Sequence, residues 1–112
     1  MDCIFCKIIK GEIPSTKVFE NEHVFAFRDI NPQMPTHILI IPKAHFASAD
    51  EVNAENSIYV AKIFEAIPEI AKAEGLCGGY RIITNCGDYA CQSVKHLHFH
   101  LLGGAQMSER MG

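Results

Sequence analysis

The segment "VKHLHFHLLGG" sets His96, His98 and His100 at a spacing of two, each separated from the next by an apolar residue. Imidazole is the side chain whose ordinary pKa lies nearest neutrality, so three together can supply a nucleophile, a proton carrier or a metal ligand. In a strand, alternate residues share a face: the rings would form one row while Leu97, Phe99 and Leu101 enter the core. Alternate residues rise by roughly 6.6 Å, so the outer two histidines are separated by roughly 13 Å at the backbone. One metal ion, held at about 2.0–2.1 Å from each nitrogen, takes one or two of them and hardly all three. The spacing predicts divided labour, with the middle histidine as nucleophile or base and its neighbours orienting it, supporting a substrate or holding a metal elsewhere. The plain alternative is a solvated polar face of a half-buried sheet, and three histidines in strict alternation weigh against it.

The preceding loop strengthens the chemical reading. "NCGDYACQSV" brings Asn85, Gly87, Gln92 and Ser93 beside the row, supplying amides, a hydroxyl and backbone N–H groups of the kind that hold a phosphate or a developing oxyanion. At the other end of the chain, Cys3 and Cys6 form a C-x-x-C that could be half of a tetrahedral zinc site, or two reduced thiols one helical turn apart. Cys77 and Cys86 are expected to be small buried hydrophobes. His23 and His37 lack such company and are expected at the surface or at strand ends.

These groups need elements to position them. "CIFCKIIKGEIP" has apolar residues at helical recurrence followed by Gly11 and Pro14, which predicts a short helix. Lys17 to Glu20 and His23 to Arg28 read as a hairpin turning at Asn21 and Glu22. "THILII" is a third strand bounded by proline at both ends. From about Asn53 to Glu74 the apolar set follows the helical period, with Pro68 inside it, where a kink is expected. "YRIIT" and "HLHFHLL" are the last two strands. Strands in hairpin-like succession with helices set apart predict an α+β fold with an antiparallel sheet, one long helix and one short one.

The chain has 112 residues, the size of one domain, with 48% hydrophobic and 21% charged residues. A formal charge of −3 gives no basic field for a polyanion, so nucleic acid is not an expected partner. The N-terminus lacks the basic start and apolar stretch of a signal peptide, no apolar run is long enough to span a bilayer, and the protein is expected to be cytoplasmic. Five cysteines, an odd number, fit a reducing compartment.

"CQSVKHLHFHLLGG" resembles the signature of the histidine triad family, and the likeness extends through "IFCKIIKGEIP", "FAFRDINPQMPTHILIIPKAH", "YRIITN" and "LGGAQM" to nearly the whole chain. The resemblance is to the branch of nucleotide-binding adenosine phosphoramidases and implies one domain over residues 1–112. It implies a nucleotidyl hydrolase or transferase in which His98 attacks the α-phosphorus of a purine nucleoside phosphoramidate or aminoacyl-adenylate-like compound. A dinucleoside polyphosphate hydrolase and a binding module with incidental activity are the alternatives. His100 would stabilise the phosphoryl oxygens and Ser93 would assist the leaving group. Gln92 and Asn85 would face the phosphate or ribose, and Asp29 the ribose hydroxyls. Phe5, Ile8, Ile13, Phe27 and Ile30 match positions lining a purine cleft. The likeness further implies a structural zinc on Cys3, Cys6, His45 and His96, chemistry that requires no catalytic metal, and a homodimer. Where relatives carry glycine before the Gln-Ser pair this chain has Cys91, which is expected to narrow or reshape the loop. The tail "MSERMG" lacks a tryptophan found in some relatives.

Overall fold

The structure is a computed structural model that describes residues 3–111. A short helix, α1 (Ile4–Ile9), opens it. Strands β1 (Lys17–Glu20), β2 (Val24–Arg28) and β3 (Thr36–Pro42) follow, then the long helix α2 (Ser57–Ala73), β4 (Tyr80–Ile83) and β5 (Phe99–Gly103). The five strands form one antiparallel sheet in the order β1-β2-β3-β5-β4. This is the expected α+β class, with one long helix and one short one.

The period of two divides the sheet between two layers. Val24, Ala26, Ile38, Ile40, Phe99 and Leu101 face α2 and meet Ile63, Ile67 and Ile70 of its buried stripe. Phe25, Phe27, Leu39 and Ile41 face the other way and pack with Phe5 and Ile8 of α1. Leu39 is directly opposite His100 in the β3–β5 register. The third triad histidine therefore belongs to the α1 face, while Leu97, Phe99 and Leu101 enter the α2 core.

Several boundaries differ from the sequence reading. The strand predicted over "HLHFHLL" pairs only from Phe99, because β3 ends at Pro42, which has no N–H to continue a ladder. The Pro42 carbonyl instead faces the His96 ring at 3.0 Å, and the Leu97 N–H donates to Phe46. Helix α2 starts at Ser57 rather than near Asn53. The side chains of Asn53 and Asn56 each accept from the other's backbone N–H, a local turn that competes with a helical start. The helix continues across Pro68, on its exposed side. At the hairpin, Asn21 Oδ1 accepts from the backbone N–H groups of His23 and Val24, so the second strand begins at Val24. Cys77 is exposed in the turn between α2 and β4, and Cys86 is half-buried with its thiol on the Ser48 hydroxyl; neither is the fully buried hydrophobe expected.

Candidate active site and metal centre

The hydrogen bonds around the triad fix which nitrogen of each ring carries a proton. The His98 Nδ1–H donates to the His96 carbonyl at 2.8 Å. Its Nε2 is then a bare lone pair with no partner among the described residues. No fully buried side-chain nitrogen or oxygen there lacks a partner, so this Nε2 keeps access to solvent although the residue is 4% exposed. Phe5 stands edge-on to the His98 ring at 5.1 Å and the His100 ring lies 5.2 Å away. Burial is the main cause that pushes the His98 pKa below its ordinary value. An imidazole that is neutral, correctly tautomeric and held on both sides is a competent nucleophile.

His37, expected at the surface or a strand end, lies one residue inside the end of β3 and is buried against His100. The Gln33 backbone N–H donates to His37 Nδ1 at 3.0 Å, so the His37 proton is on Nε2. Nε2–H lies 2.9 Å from His100 Nδ1 and 3.4 Å from Asp29 Oδ2. His100 Nδ1 therefore accepts, and its own proton sits on Nε2, available to a ligand oxygen. Asp29, His37 and His100 are close enough to suggest a second metal site. The Gln33 N–H argues against it: ligation through His37 Nε2 would put a proton on Nδ1, pointing at another donor.

Burial first, and neighbouring His98 and His37 after it, push the His100 pKa down to about 4, and burial lowers His37 as well. A depressed folded-state pKa means the unfolded chain binds more protons, so the stability present above pH 6.5 is lost as pH falls toward 4. For His100 alone the loss is on the order of 3 kcal/mol. Denaturant melts across this range should show it, and His100→Gln should flatten the profile. An unchanged slope would refute the assignment.

The loop between β4 and β5 carries the remaining polar groups. Both Gln92 side-chain protons are committed to backbone carbonyls, of Ala47 at 2.6 Å and Val94 at 2.9 Å, and its Oε1 accepts from the Gly87 N–H. The side chain thus braces the loop from within instead of offering its N–H groups to a phosphate. Ser93 is exposed and Asn85 half-buried. Cys91 takes a left-handed conformation, φ 61° and ψ 38°, with its side chain exposed. The loop keeps a glycine-like backbone despite the cysteine, which costs about 1 kcal/mol. Cys91→Gly should leave the loop in place and raise stability by roughly 0.5 kcal/mol after the added unfolded-state entropy is subtracted. A clear destabilisation in thermal melts would contradict this.

Phe5, Ile8 and Phe27 are buried in the α1-side cluster, and Ile13 packs against it. Ile30 is fully exposed, immediately after Asp29. These residues thus form an apolar floor, and Ile30 a projecting edge that a planar base could cover.

Cys3, Cys6, His45 and His96 converge at the base of α1, each with one donor atom within 4.8 Å of the others. Cys3 is the N-cap of α1, and its sulfur accepts from the Cys6 N–H, which sets both sulfurs on one side. His96 Nδ1 lies 3.4 Å from Cys3 Sγ, 3.7 Å from Cys6 Sγ and 3.1 Å from His45 Nδ1, and Cys6 Sγ lies 3.4 Å from His45 Nδ1. Tetrahedral zinc at its usual bond lengths would space sulfur and nitrogen by about 3.6 Å and two nitrogens by about 3.3 Å. His96 Nε2–H donates to the Pro42 carbonyl, leaving Nδ1 deprotonated toward the cluster, the outer hydrogen bond a ligating histidine requires. Burial first, and the contact with Cys3 second, push the Cys6 thiol above its ordinary pKa, a shift that a bound cation reverses. The four residues fit zinc.

A family model described as the HIT domain matches residues 10–107. The chain belongs to the HIT family. This HIT chain is 56% identical over 113 residues to the "14 kDa zinc-binding protein" of Zea mays, with 94% of this chain and 84% of the relative covered. It is 45% identical over 104 residues to the purine nucleoside phosphoramidase of Escherichia coli K12, covering 92% and 87%. Among solved structures, a HIT family hydrolase from Clostridium thermocellum superposes with a TM-score of 0.95 at 50% identity, covering 98% of this chain and 96% of that one.

On this HIT scaffold, Asp29 and His100 are joined on the α1 face by His37, the residue that the sequence had placed at the surface or a strand end. The "PTH" segment carries no spacing that singles it out. Only the pairing of β3 with β5 brings its ring to His100, 63 residues away. A histidine entering an otherwise apolar strand was the available sign.

Proposed function

We propose that this HIT protein is a nucleotidyl hydrolase or transferase that cleaves purine nucleoside phosphoramidates, including aminoacyl-adenylate-like compounds, through a nucleotidyl-histidine at His98. The observation that carries the reading is the bare Nε2 of His98 beside a protonated Nε2 of His100. The lone pair attacks the α-phosphorus, a bond forms between Nε2 and phosphorus, and the phosphorus–nitrogen bond breaks. The departing amine takes a proton delivered through the exposed Ser93 hydroxyl. Water then displaces His98 and releases the monophosphate, so one hard displacement becomes two easier ones. His100 Nε2–H donates to a phosphoryl oxygen as charge develops. Asp29 accepts from the ribose hydroxyls, and the purine lies over the apolar floor near Phe5 and Phe27. Gln92 acts by holding the loop, with Asn85 facing the phosphate or ribose.

Cys3, Cys6, His45 and His96 hold a structural zinc in this reading. All four positions are filled by protein side chains, the closed set of a structural site, and the metal ties α1 to the sheet. Exposed Ile58 and Phe64 on α2 and Tyr80 on the edge strand β4 support a homodimer joined along that side. The family's phosphoramidase relative supports the substrate class.

The test is turnover of an adenosine 5′-phosphoramidate against a diadenosine polyphosphate, with mass spectrometry after a quench that avoids acid. Faster phosphoramidate cleavage and an adenylyl adduct on the peptide containing His98 are expected. Preference for the polyphosphate, or an adduct elsewhere, would overturn the proposal.

A further inference from the structure

His37 has a single side-chain proton and two acceptors for it. Its Nε2–H lies between His100 Nδ1 at 2.9 Å and Asp29 Oδ2 at 3.4 Å, while the Gln33 N–H on Nδ1 prevents the ring from turning over or gaining a second proton there without a donor–donor clash. Asp29 is itself held: with Oδ1 accepting from the Asn31 N–H at 2.8 Å and Oδ2 facing His37, one lone-pair direction is left on each oxygen. The His37 ring is buried, so these contacts are strong and responsive to one another.

We propose that His37 is a positioning residue that carries occupancy of the ribose site at Asp29 to His100, so that the enzyme senses an intact ribose diol in turnover and not merely in affinity. The inference rests on the nucleotidyl-transfer reading. An empty Asp29 carboxylate competes with His100 for the His37 proton. When two ribose hydroxyls donate to Asp29, its negative charge is partly satisfied and its hold on that proton weakens. The proton then stays along the His100 axis, fixes Nδ1 of His100 as acceptor and keeps Nε2–H directed to the phosphoryl oxygen. His37 touches no substrate atom in this scheme. A 2′-deoxynucleotide fills the cleft but brings one hydroxyl to Asp29 instead of two, which leaves part of the competition in place, and its penalty falls on kcat.

Two measurements test it. The first needs no substrate: nitrogen-15 spectra of the histidine side chains in the full zinc-loaded protein, wild type against Asp29→Asn. Moving the His37 proton toward His100 should shift the His100 Nδ1 resonance while the His98 signals stay in place. An unmoved His100 Nδ1 overturns the relay whatever reaction the protein performs. The second compares kcat for adenosine and 2′-deoxyadenosine phosphoramidates. Wild type should lose about tenfold to a hundredfold in kcat on the deoxy substrate, the kinetic worth of one buried hydrogen bond. His37→Phe should lower kcat on the ribo substrate by a similar factor and bring the kcat ratio close to one. His37→Gln, which keeps a donor, should restore most of the discrimination. A deoxy penalty confined to KM, or one that survives intact in His37→Phe, overturns the proposal. Failure to cleave any phosphoramidate would instead overturn the reaction assigned above, since the first measurement still decides the relay.

Discussion

His98→Ala should abolish turnover of an adenosine phosphoramidate, with kcat falling by about ten-thousandfold or more, while adenosine 5′-monophosphate still binds within a few-fold of the wild-type affinity. The asymmetry follows from the geometry. Among the described residues the ring's only hydrogen bond is to the His96 carbonyl, so truncation removes a lone pair aimed at phosphorus without stripping the cleft of a partner for the bound nucleotide. Phe5 loses an edge contact, a loss that falls on stability and not on the chemistry. The decisive pair of measurements is single-turnover kinetics and equilibrium binding on the same preparation. Residual turnover within tenfold of wild type would remove His98 from the reaction. Loss of binding in step with kcat would turn it into a binding residue.

Cys6→Ser should lower bound zinc from about one ion per chain to a small fraction of that, since a serine hydroxyl does not replace a thiolate. The folded state then forfeits the free energy of metal binding. With zinc a thousandfold above its dissociation constant this amounts to about 4 kcal/mol, enough to move the thermal midpoint by many degrees in a chain of this size. The loss centres on α1, because the cluster joins the start of that helix to His45, just after β3, and His96, just before β5. Cys77→Ser is the matching control, since Cys77 is exposed and stands apart from the cluster. Elemental analysis together with calorimetry gives both readouts. Full zinc content in Cys6→Ser would refute the ligand set.

Much of this architecture was readable from residue order. The strand limits at Lys17, Glu20, Arg28, Thr36 and Tyr80 follow from runs of β-branched and aromatic residues bounded by the turn residues Pro14, Asn21, Asp29, Pro35 and Gly79. The alternation of Leu97, Phe99 and Leu101 with histidines placed the apolar row in the core, because side-chain direction in an extended chain is a local property. Other features depended on pairings that local patterns do not encode. His37 looks like an ordinary polar residue until β3 is set beside β5, and Gln92 reads as a phosphate-facing amide until the Ala47 carbonyl is brought to its side chain. The start of α2 went unread because a helical period says where apolar residues recur, whereas reciprocal asparagine turns decide where the backbone departs from it. Cys91 adopting a glycine-like backbone was likewise invisible in advance, since the strain it bears is set by the loop that Gln92 holds from inside.

The proton on the central imidazole is held by a peptide carbonyl, and every amino acid carries one of those. Saturation mutagenesis at position 96 would therefore register selection for the ring that meets the sulfurs and stay blind to the oxygen that sets the neighbouring tautomer. Only a change to the main chain itself, such as a thioamide between residues 96 and 97 that weakens this acceptor while keeping the Leu97 N–H for Phe46, would expose its share of the chemistry.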